Sequence, residues 1–263
     1  MTLDPTGPRA KAERGREHLN ALYGELPAFF EPYTKREPVY HSFDGTWHTV
    51  NLRPVIEKLP LRWSLICGDA IHNLRSALDH LVRELVLAGD GKPGKWNSFP
   101  IYTDSEDFDR DVRFRKKNRG WGPLEGIDPG GQAWAAIEQA QPYYSGHPPG
   151  DPLAMLKTLD DMDKHRTLIV HMLFPAEQDI SDLIGWHPAG ELLEHRISNA
   201  PLSLEHETEI LRLRFSDAWP DPQVSMKDGL AVEPAFGNGI IQLVPESLSF
   251  IYHHVSDLID DFA

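Results

Sequence analysis

Arg75, Asp79 and His80 combine the side-chain types and the spacing that phosphodiester chemistry without a metal ion requires. A neutral imidazole accepts or donates a proton near pH 7, which suits His80 to general acid–base catalysis. A guanidinium binds phosphate bidentately and stabilises charge in the transition state, which is the role expected of Arg75. Asp79 follows Arg75 at the spacing of a helical ion pair and is expected to orient or tune the other two groups.

One predicted helix, residues 61–87, must position these three side chains. It is the longest segment without proline, and apolar residues recur at helical spacing on one of its sides. The other side carries polar residues that include no lysine: Asp69, His72, Asn73, Arg75, Ser76, Asp79, His80 and Arg83. This composition predicts a polar seam inside a helical bundle, in which His72, Asn73 and Ser76 contribute to binding.

The helical geometry separates Arg75 from His80. Five residues along a helix correspond to about 140° of rotation, so the two side chains are expected to flank a groove without touching. Leu65 and Ile66 lie on the polar side one turn earlier. This side is therefore expected to contact protein rather than bulk water.

The other elements follow from apolar periodicity and from the positions of Pro and Gly. Helices are predicted at residues 10–30, 131–140, 152–166 and 245–262. Asp44-Gly45, between two β-prone runs, predicts a hairpin. Short apolar or alternating runs predict strands at residues 167–174, 210–215, 223–226 and 230–233.

These elements predict an α+β fold, a predominantly α-helical bundle with a small antiparallel β-sheet inserted before a C-terminal helix. No linker of independent composition is visible, so we expect one domain of residues 1–263. Its bundle is predicted at about 9–166 and 245–263, and its β-rich insertion at about 167–244.

A second polar cluster lies at the end of the predicted helix 152–166, in Lys164, His165 and Arg166. Cations in a last turn suit the negative end of the helix dipole. If this end packs on the seam, Lys164 or Arg166 is expected to pair with Asp79 or Asp69, and Asp163 with Arg75. The cluster is then either a set of interhelical salt bridges or part of an anion-binding site.

The one strongly basic run spans residues 110–119, with Phe114 inside it and Trp121 after it. Such a run could hold single-stranded RNA by charge and stacking, with Arg113 and Arg115 as binding residues. The alternative is a solvated loop, or ion pairs with the carboxylates of this acidic chain.

Composition limits the classes of function. A formal net charge of −14 argues against a wide nucleic-acid surface but leaves room for a small local site. The lone cysteine, Cys67, excludes an intramolecular disulfide and fits a reducing cytoplasm. The polar N-terminus and the lack of a long apolar run predict neither a secretory signal nor a membrane span. We expect a cytoplasmic protein that binds no membrane.

A metal site is a further alternative, because six side chains could supply ligands: His72, His80, His165, His171, Asp69 and Asp79. The sequence has no H-E-x-x-H string, no cysteine pair and no E-x-x-H string of bundle carboxylate sites. P-loop, dinucleotide-binding and G-x-S-x-G motifs are also absent. No metal and no cofactor is therefore predicted.

The string from Arg75 to His80 resembles the R-x(4–6)-H motif of the HEPN superfamily, with Ser76 at the position after the arginine, which is usually polar. The resemblance implies an all-α domain, with Arg75 and His80 as catalytic residues. Many members are metal-independent ribonucleases of toxin or antiviral defence systems that build their site across a homodimer, and others only bind. The wider text HNLRSALDHL, followed later by DKHR, also resembles a family of uncharacterised bacterial proteins.

The leading hypothesis is accordingly a HEPN-like ribonuclease or RNA-binding module that forms a homodimer. A second hypothesis is a non-enzymatic homodimeric or partner-binding protein whose seam is a structural ion-pair network. A third is a metal-dependent enzyme that uses the His and Asp residues. An open cleft beside Arg75 and His80 favours the first hypothesis, and a closed network favours the second.

Overall fold

The computed structural model describes residues 3–30, 39–42, 46–52, 59–113, 122–165, 169–173, 184–185, 191–198, 206–217, 225–226, 233–237, 242–243 and 245–263. Its α-helices are α1 (Thr6–Phe30), α2 (Leu61–Ala88), α3 (Ser105–Phe108), α4 (Gln132–Gln139), α5 (Pro152–His165) and α6 (Pro245–Asp261). Its strands are β1 (Val39–Ser42), β2 (Trp47–Leu52), β3 (Ile169–Leu173), β4 (Ile184–Gly185), β5 (Leu192–Ile197), β6 (Thr208–Phe215), β7 (Ser225–Met226), β8 (Glu233–Gly237) and β9 (Gln242–Leu243). These elements confirm the predicted α+β class.

The chain forms two compact units. The first contains Met1–Leu22, Ser64–Leu168 and Pro245–Ala263, and the second contains Tyr23–Trp63 and Ile169–Val244. The sequence predicts residues 23–63 as part of the bundle, whereas their contacts group them with the strands of the second unit. Both α1 and α2 contribute residues to each unit.

The first unit is a helical assembly whose core consists of the apolar faces that the periodicity predicts. Fully buried leucines and β-branched residues come from the four longest helices: Leu19, Leu74, Leu78, Leu81, Leu156, Leu159, Ile251, Val255 and Ile259. α1 begins at Thr6, earlier than predicted, because Asp4 accepts a hydrogen bond from the Thr6 N–H at 3.0 Å and Pro8 is tolerated in a first turn.

Two glycines allow close helix crossings in this unit. A Cβ at Gly15 of α1 would lie 2.9 Å from Cδ2 of Leu74 on α2. A Cβ at Gly68 of α2 would overlap the carboxylate of Asp163 on α5. The crossing of α2 with α5 therefore brings the seam next to the acidic end of α5, as the sequence suggested.

The second unit contains antiparallel sheets. The largest has the strand order β1-β2-β6-β5, and β6 buries Leu211, Leu213 and Phe215 while Arg212 and Arg214 are exposed. β1 pairs with β2 in the antiparallel sense that the predicted hairpin requires, and Asp44-Gly45 lie outside the described residues. Smaller sheets have the orders β3-β8-β9 and β4-β7. The predicted strands near 167–174, 210–215 and 223–226 correspond to β3, β6 and β7, whereas β8 begins only at Glu233, the last residue of the run predicted at 230–233.

No helix within the described ranges has both the length and the apolar character needed to cross a bilayer.

Candidate functional site

The centre of the candidate site is a ring of polar contacts between α2 and the segment after it. Nη2 of Arg75 lies 3.2 Å from Oδ1 of Asp79 and donates a hydrogen bond of 2.7 Å to the carbonyl of Phe99. The N–H of Phe99 donates to Oδ1 of Asp79 at 2.8 Å. The predicted ion pair therefore forms, and it also satisfies both backbone groups of Phe99, which lie outside regular secondary structure.

This ring is partly withdrawn from water, with the Arg75 side chain 17% exposed and that of Asp79 34% exposed. Burial raises the pKa of the Asp79 carboxyl above its usual value, and the charge of Asp160 adds to this effect. Arg75, the N–H of Phe99 and Lys164 act in the opposite direction on that pKa. Asp79 thus links the Arg75 ring electrostatically to the end of α5.

Two further side chains hold the segment that contains Phe99. The Asn97 side chain donates to the carbonyl of Glu125 at 2.9 Å. Gln141 is only 2% exposed; its amide donates to the carbonyl of Pro100 at 2.8 Å, and its carbonyl accepts from the N–H of Tyr102 at 3.0 Å. An irregular segment is therefore fixed by side chains that replace the hydrogen bonds of a sheet.

A cavity of about 540 Å³ lies beside the ring. Its walls include two cations, three aromatic residues and a proline: Arg75, Lys157, Trp96, Phe99, Tyr102 and Pro123. Nη1 of Arg75 is buried and has no hydrogen-bond partner among the described residues. Nζ of Lys157 lies 5.9 Å from the ring centroid of Tyr102, and Nζ of Lys95 lies 4.7 Å from that of Trp96, which is 55% exposed. The cavity is suited to an anion that also carries a planar group.

His80 lies beside a different element. Its Nδ1 is 3.6 Å from the position that a Cβ would take at Gly7, in the first turn of α1. His80 is not among the walls of the Arg75 cavity. The structure thus brings Arg75 and Asp79 together on Phe99 and places His80 against the start of α1.

The end of α5 carries ion pairs that differ from those expected. Nζ of Lys164 lies 2.5 Å from Oδ2 of the nearly buried Asp160, within its own helix, rather than pairing with Asp79 or Asp69. His72 approaches Asp160 from α2, with 3.9 Å between its Nδ1 and Oδ1 of Asp160. The expected pair of Asp163 with Arg75 is replaced by the pair of Arg75 with Asp79. An i, i+4 partner on the same helix is positioned by backbone geometry alone, which explains both outcomes.

Burial also raises the pKa of Asp163, and the neighbouring charges of Asp160 and Asp69 raise it further, while His72 lowers it. Among the described side chains, no three His, Cys, Asp or Glu residues converge as metal ligands. The seam beside α5 is therefore an acidic cluster, with the cation of Lys164 at Asp160 and the His72 side chain beside it.

The remaining predicted binding residues are dispersed. The Asn73 amide donates to the carbonyl of Asp69 at 2.7 Å. Arg113 pairs with Asp109 and Glu138 at 3.1 and 2.5 Å, which agrees with the alternative that the basic run contacts the chain's own carboxylates. Ser76 is partly buried on α2.

Several sequence predictions fall where the structure gives no side-chain information. Arg115, Arg166 and the greater part of the basic run lie outside the described residues, and the side chains of His165 and His171 are not described. Leu65 is 55% exposed in this chain, so the expectation that this end of the seam contacts protein is wrong for the chain by itself.

Sequence reasoning missed Trp96, Tyr102, Gln141 and Lys157, which form or support the cavity. These residues come from an irregular segment, a turn and α5. The aromatic and proline content of residues 96–102 is the sequence feature that could have identified this segment. Aromatic side chains in an irregular segment are expected to be buried against other elements of the fold.

The fold and the cavity define an α+β protein with a cationic and aromatic site on its longest helix. No family model matches the chain, and neither a curated protein nor a solved structure is significantly similar to it. The function is therefore inferred from the geometry of the site and from the motif on α2.

Proposed function

We propose that this protein is a HEPN-like module that binds single-stranded RNA in the cavity beside Arg75. The observation that carries the proposal is the orientation of the Arg75 guanidinium at the wall of the cavity. Its Nη2 is held by Asp79 and by the carbonyl of Phe99, and the Arg75 side chain lines the cavity. A cation that is already oriented loses little entropy when it binds a phosphate.

Charge and stacking support RNA as the ligand. The net charge of −14 repels a polyanion everywhere except at a local cationic site, and Arg75 and Lys157 form one. Trp96, which is 55% exposed, offers an aromatic face on which an unpaired base stacks without sequence preference. In the sequence, the wall residue Gly122 directly follows Trp121 and comes three residues after Arg119, the end of the basic run.

The geometry favours binding over cleavage. Cleavage by the motif pair requires a general acid or base and a phosphate-binding cation at the same phosphodiester. Within this chain Arg75 lines the cavity and His80 lies beside Gly7. Ribonuclease activity by Arg75 and His80 stays a prediction, and incubation of the protein with single-stranded RNA in EDTA, with His80→Ala as the comparison, tests it.

Fluorescence anisotropy with a labelled single-stranded RNA tests the binding proposal. We expect the wild type to bind and Arg75→Ala and Lys157→Ala each to raise Kd about tenfold, because a charge-assisted hydrogen bond contributes about 1.5–3 kcal/mol. The matched control is Arg14→Ala. Arg14 is an exposed arginine outside the cavity walls and outside the basic run that pairs with Glu17 on α1, so its loss should leave Kd unchanged.

Melting temperatures of the same variants separate ligand binding from the structural alternative. Arg75→Ala also breaks the ring at Phe99 and is expected to lower the melting temperature, whereas Lys157→Ala leaves the ring intact and tests binding alone. RNA binding that is absent in the wild type, or equal in wild type and Lys157→Ala, contradicts the proposal. In that case the ring is only structural, which is the second hypothesis.

A further inference from the structure

We propose that the cavity recognises the phosphorylated end of an RNA strand, that is, one terminal nucleotide with its monoester phosphate. This inference rests on the proposed RNA binding and specifies which part of the strand enters the site. The first argument is size. A volume of about 540 Å³ lies within the range of about 300–1,000 Å³ typical of small-molecule pockets. The cavity therefore accepts one nucleotide unit and no extended stretch.

The second argument is the charge of the walls. Arg75 and Lys157 both line the cavity, and Lys95 lies at the exposed ring of Trp96. A terminal phosphate carries a charge of about −1.5 to −2 at pH 7, whereas an internal phosphodiester carries one negative charge. Two cations in a partly enclosed site therefore favour the terminal group, since Coulomb interactions gain strength as water is excluded. Asp79 compensates part of the Arg75 charge, which makes Lys157 the more sensitive position for discrimination.

The third argument is the separation of roles within the cavity. Arg75 lines the cavity and supplies a guanidinium for a phosphate oxygen. Trp96 offers an exposed ring for the base. Asn97 and Gln141 hold the segment that follows Trp96, and the carbonyl of Phe99 in that segment holds the guanidinium of Arg75. Such an arrangement distinguishes a phosphate from a hydroxyl at the strand end while it tolerates any base.

The test compares one short RNA in three forms: with a 5′-phosphate, with a 3′-phosphate and with hydroxyls at both ends, each labelled away from the end under test. We expect one phosphorylated form to bind wild-type protein about tenfold more tightly than the unphosphorylated RNA. In Lys157→Ala this ratio should fall to about one. In the matched control Lys92→Ala, an exposed lysine outside the cavity walls, it should be retained. Trp96→Ala should weaken all forms by a similar factor, on the order of tenfold, because it removes stacking and not charge.

The outcomes separate this inference from the function on which it rests. Equal affinity for phosphorylated and unphosphorylated RNA overturns recognition of the end and leaves RNA binding in place. Absence of RNA binding by the wild type overturns both. A competition arm with adenosine monophosphate distinguishes the two sources of the same chemistry. Because every contact argued above lies within one nucleotide, we expect the free nucleotide to bind no more tightly than the phosphorylated RNA. If it binds more tightly, the rest of the strand hinders binding and the assignment to an RNA end is wrong.

Discussion

At the scale of single residues, the carboxylates around α2 differ in what they do. The carboxylate of Asp79 accepts a hydrogen bond from the N–H of Phe99 and lies beside the guanidinium of Arg75, so both contacts stabilise its negative charge. Asp163 lies among other carboxylates, and both burial and the charges of Asp160 and Asp69 raise its pKa. The charge of Asp163 therefore destabilises the folded state near neutral pH.

The pH dependence of Asp163 follows from that direction. A carboxyl whose pKa is higher in the folded than in the unfolded state contributes most stability when protonated, and it loses this contribution as pH rises from the ordinary Asp value through the folded one. We expect Asp163→Asn to raise the melting temperature at pH 7. At pH 3 we expect no change, because the Asp163 carboxyl is then protonated in both the folded and the unfolded state. The exposed neighbour Asp161→Asn is the control, with little effect at either pH. A lower melting temperature of Asp163→Asn at pH 7 contradicts this account.

At the scale of elements, the position of the site depends on how closely the helices cross. α2 approaches α5 at Gly68, where a Cβ would overlap the Asp163 carboxylate, and this crossing brings Lys157 and Arg75 to one cavity. A helix moves as a unit. A small increase in the separation of α2 and α5 therefore moves every seam side chain on α2 away from its neighbours on α5.

Gly15→Ala tests the neighbouring crossing of α1 with α2. We expect it to destabilise the fold by about 1–3 kcal/mol, since the added methyl group would lie 2.9 Å from Cδ2 of Leu74 and 3.2 Å from the backbone carbonyl of Ala70. Gly24→Ala is the matched control, because Gly24 is also helical but has no atom within 4 Å of its Cβ position. Its higher helix propensity should stabilise the protein by about 0.5–1 kcal/mol. Urea unfolding measures both changes, and equal effects of the two substitutions count against a tight crossing.

At the scale of the whole molecule, the negative net charge makes any RNA site local. Two wall cations predict a shallow salt dependence, because log K for single strands changes with log salt by about −0.7 per phosphate contact. A slope of about −1.4 corresponds to a roughly sevenfold weaker affinity between 50 and 200 mM NaCl. Anisotropy titrations at these salt concentrations measure the slope. A slope near −5 would instead indicate a wide surface that includes the basic run at 110–119.

Features that depend on near neighbours along the chain can be predicted from the amino-acid sequence. It predicts α2, the ion pair of Arg75 with Asp79 and the alternation of β6, because helical and strand periodicities are local. It also predicts that Arg75 and His80 flank one groove, whereas His80 is not among the walls of the Arg75 cavity. From these elements it also predicted the α+β class. Recognition of a HEPN-like motif and an RNA function stay predictions.

Which distant groups come into contact depends on the packing of the whole chain. The tertiary structure places the backbone of Phe99 between Arg75 and Asp79, makes Lys157 and Trp96 neighbours in one cavity, and pairs β2 with β6 across more than 150 residues of chain. Such contacts depend on packing and on the need to satisfy buried backbone groups over the whole chain. No local pattern encodes them, which is why the helix could be predicted and the cavity beside it could not.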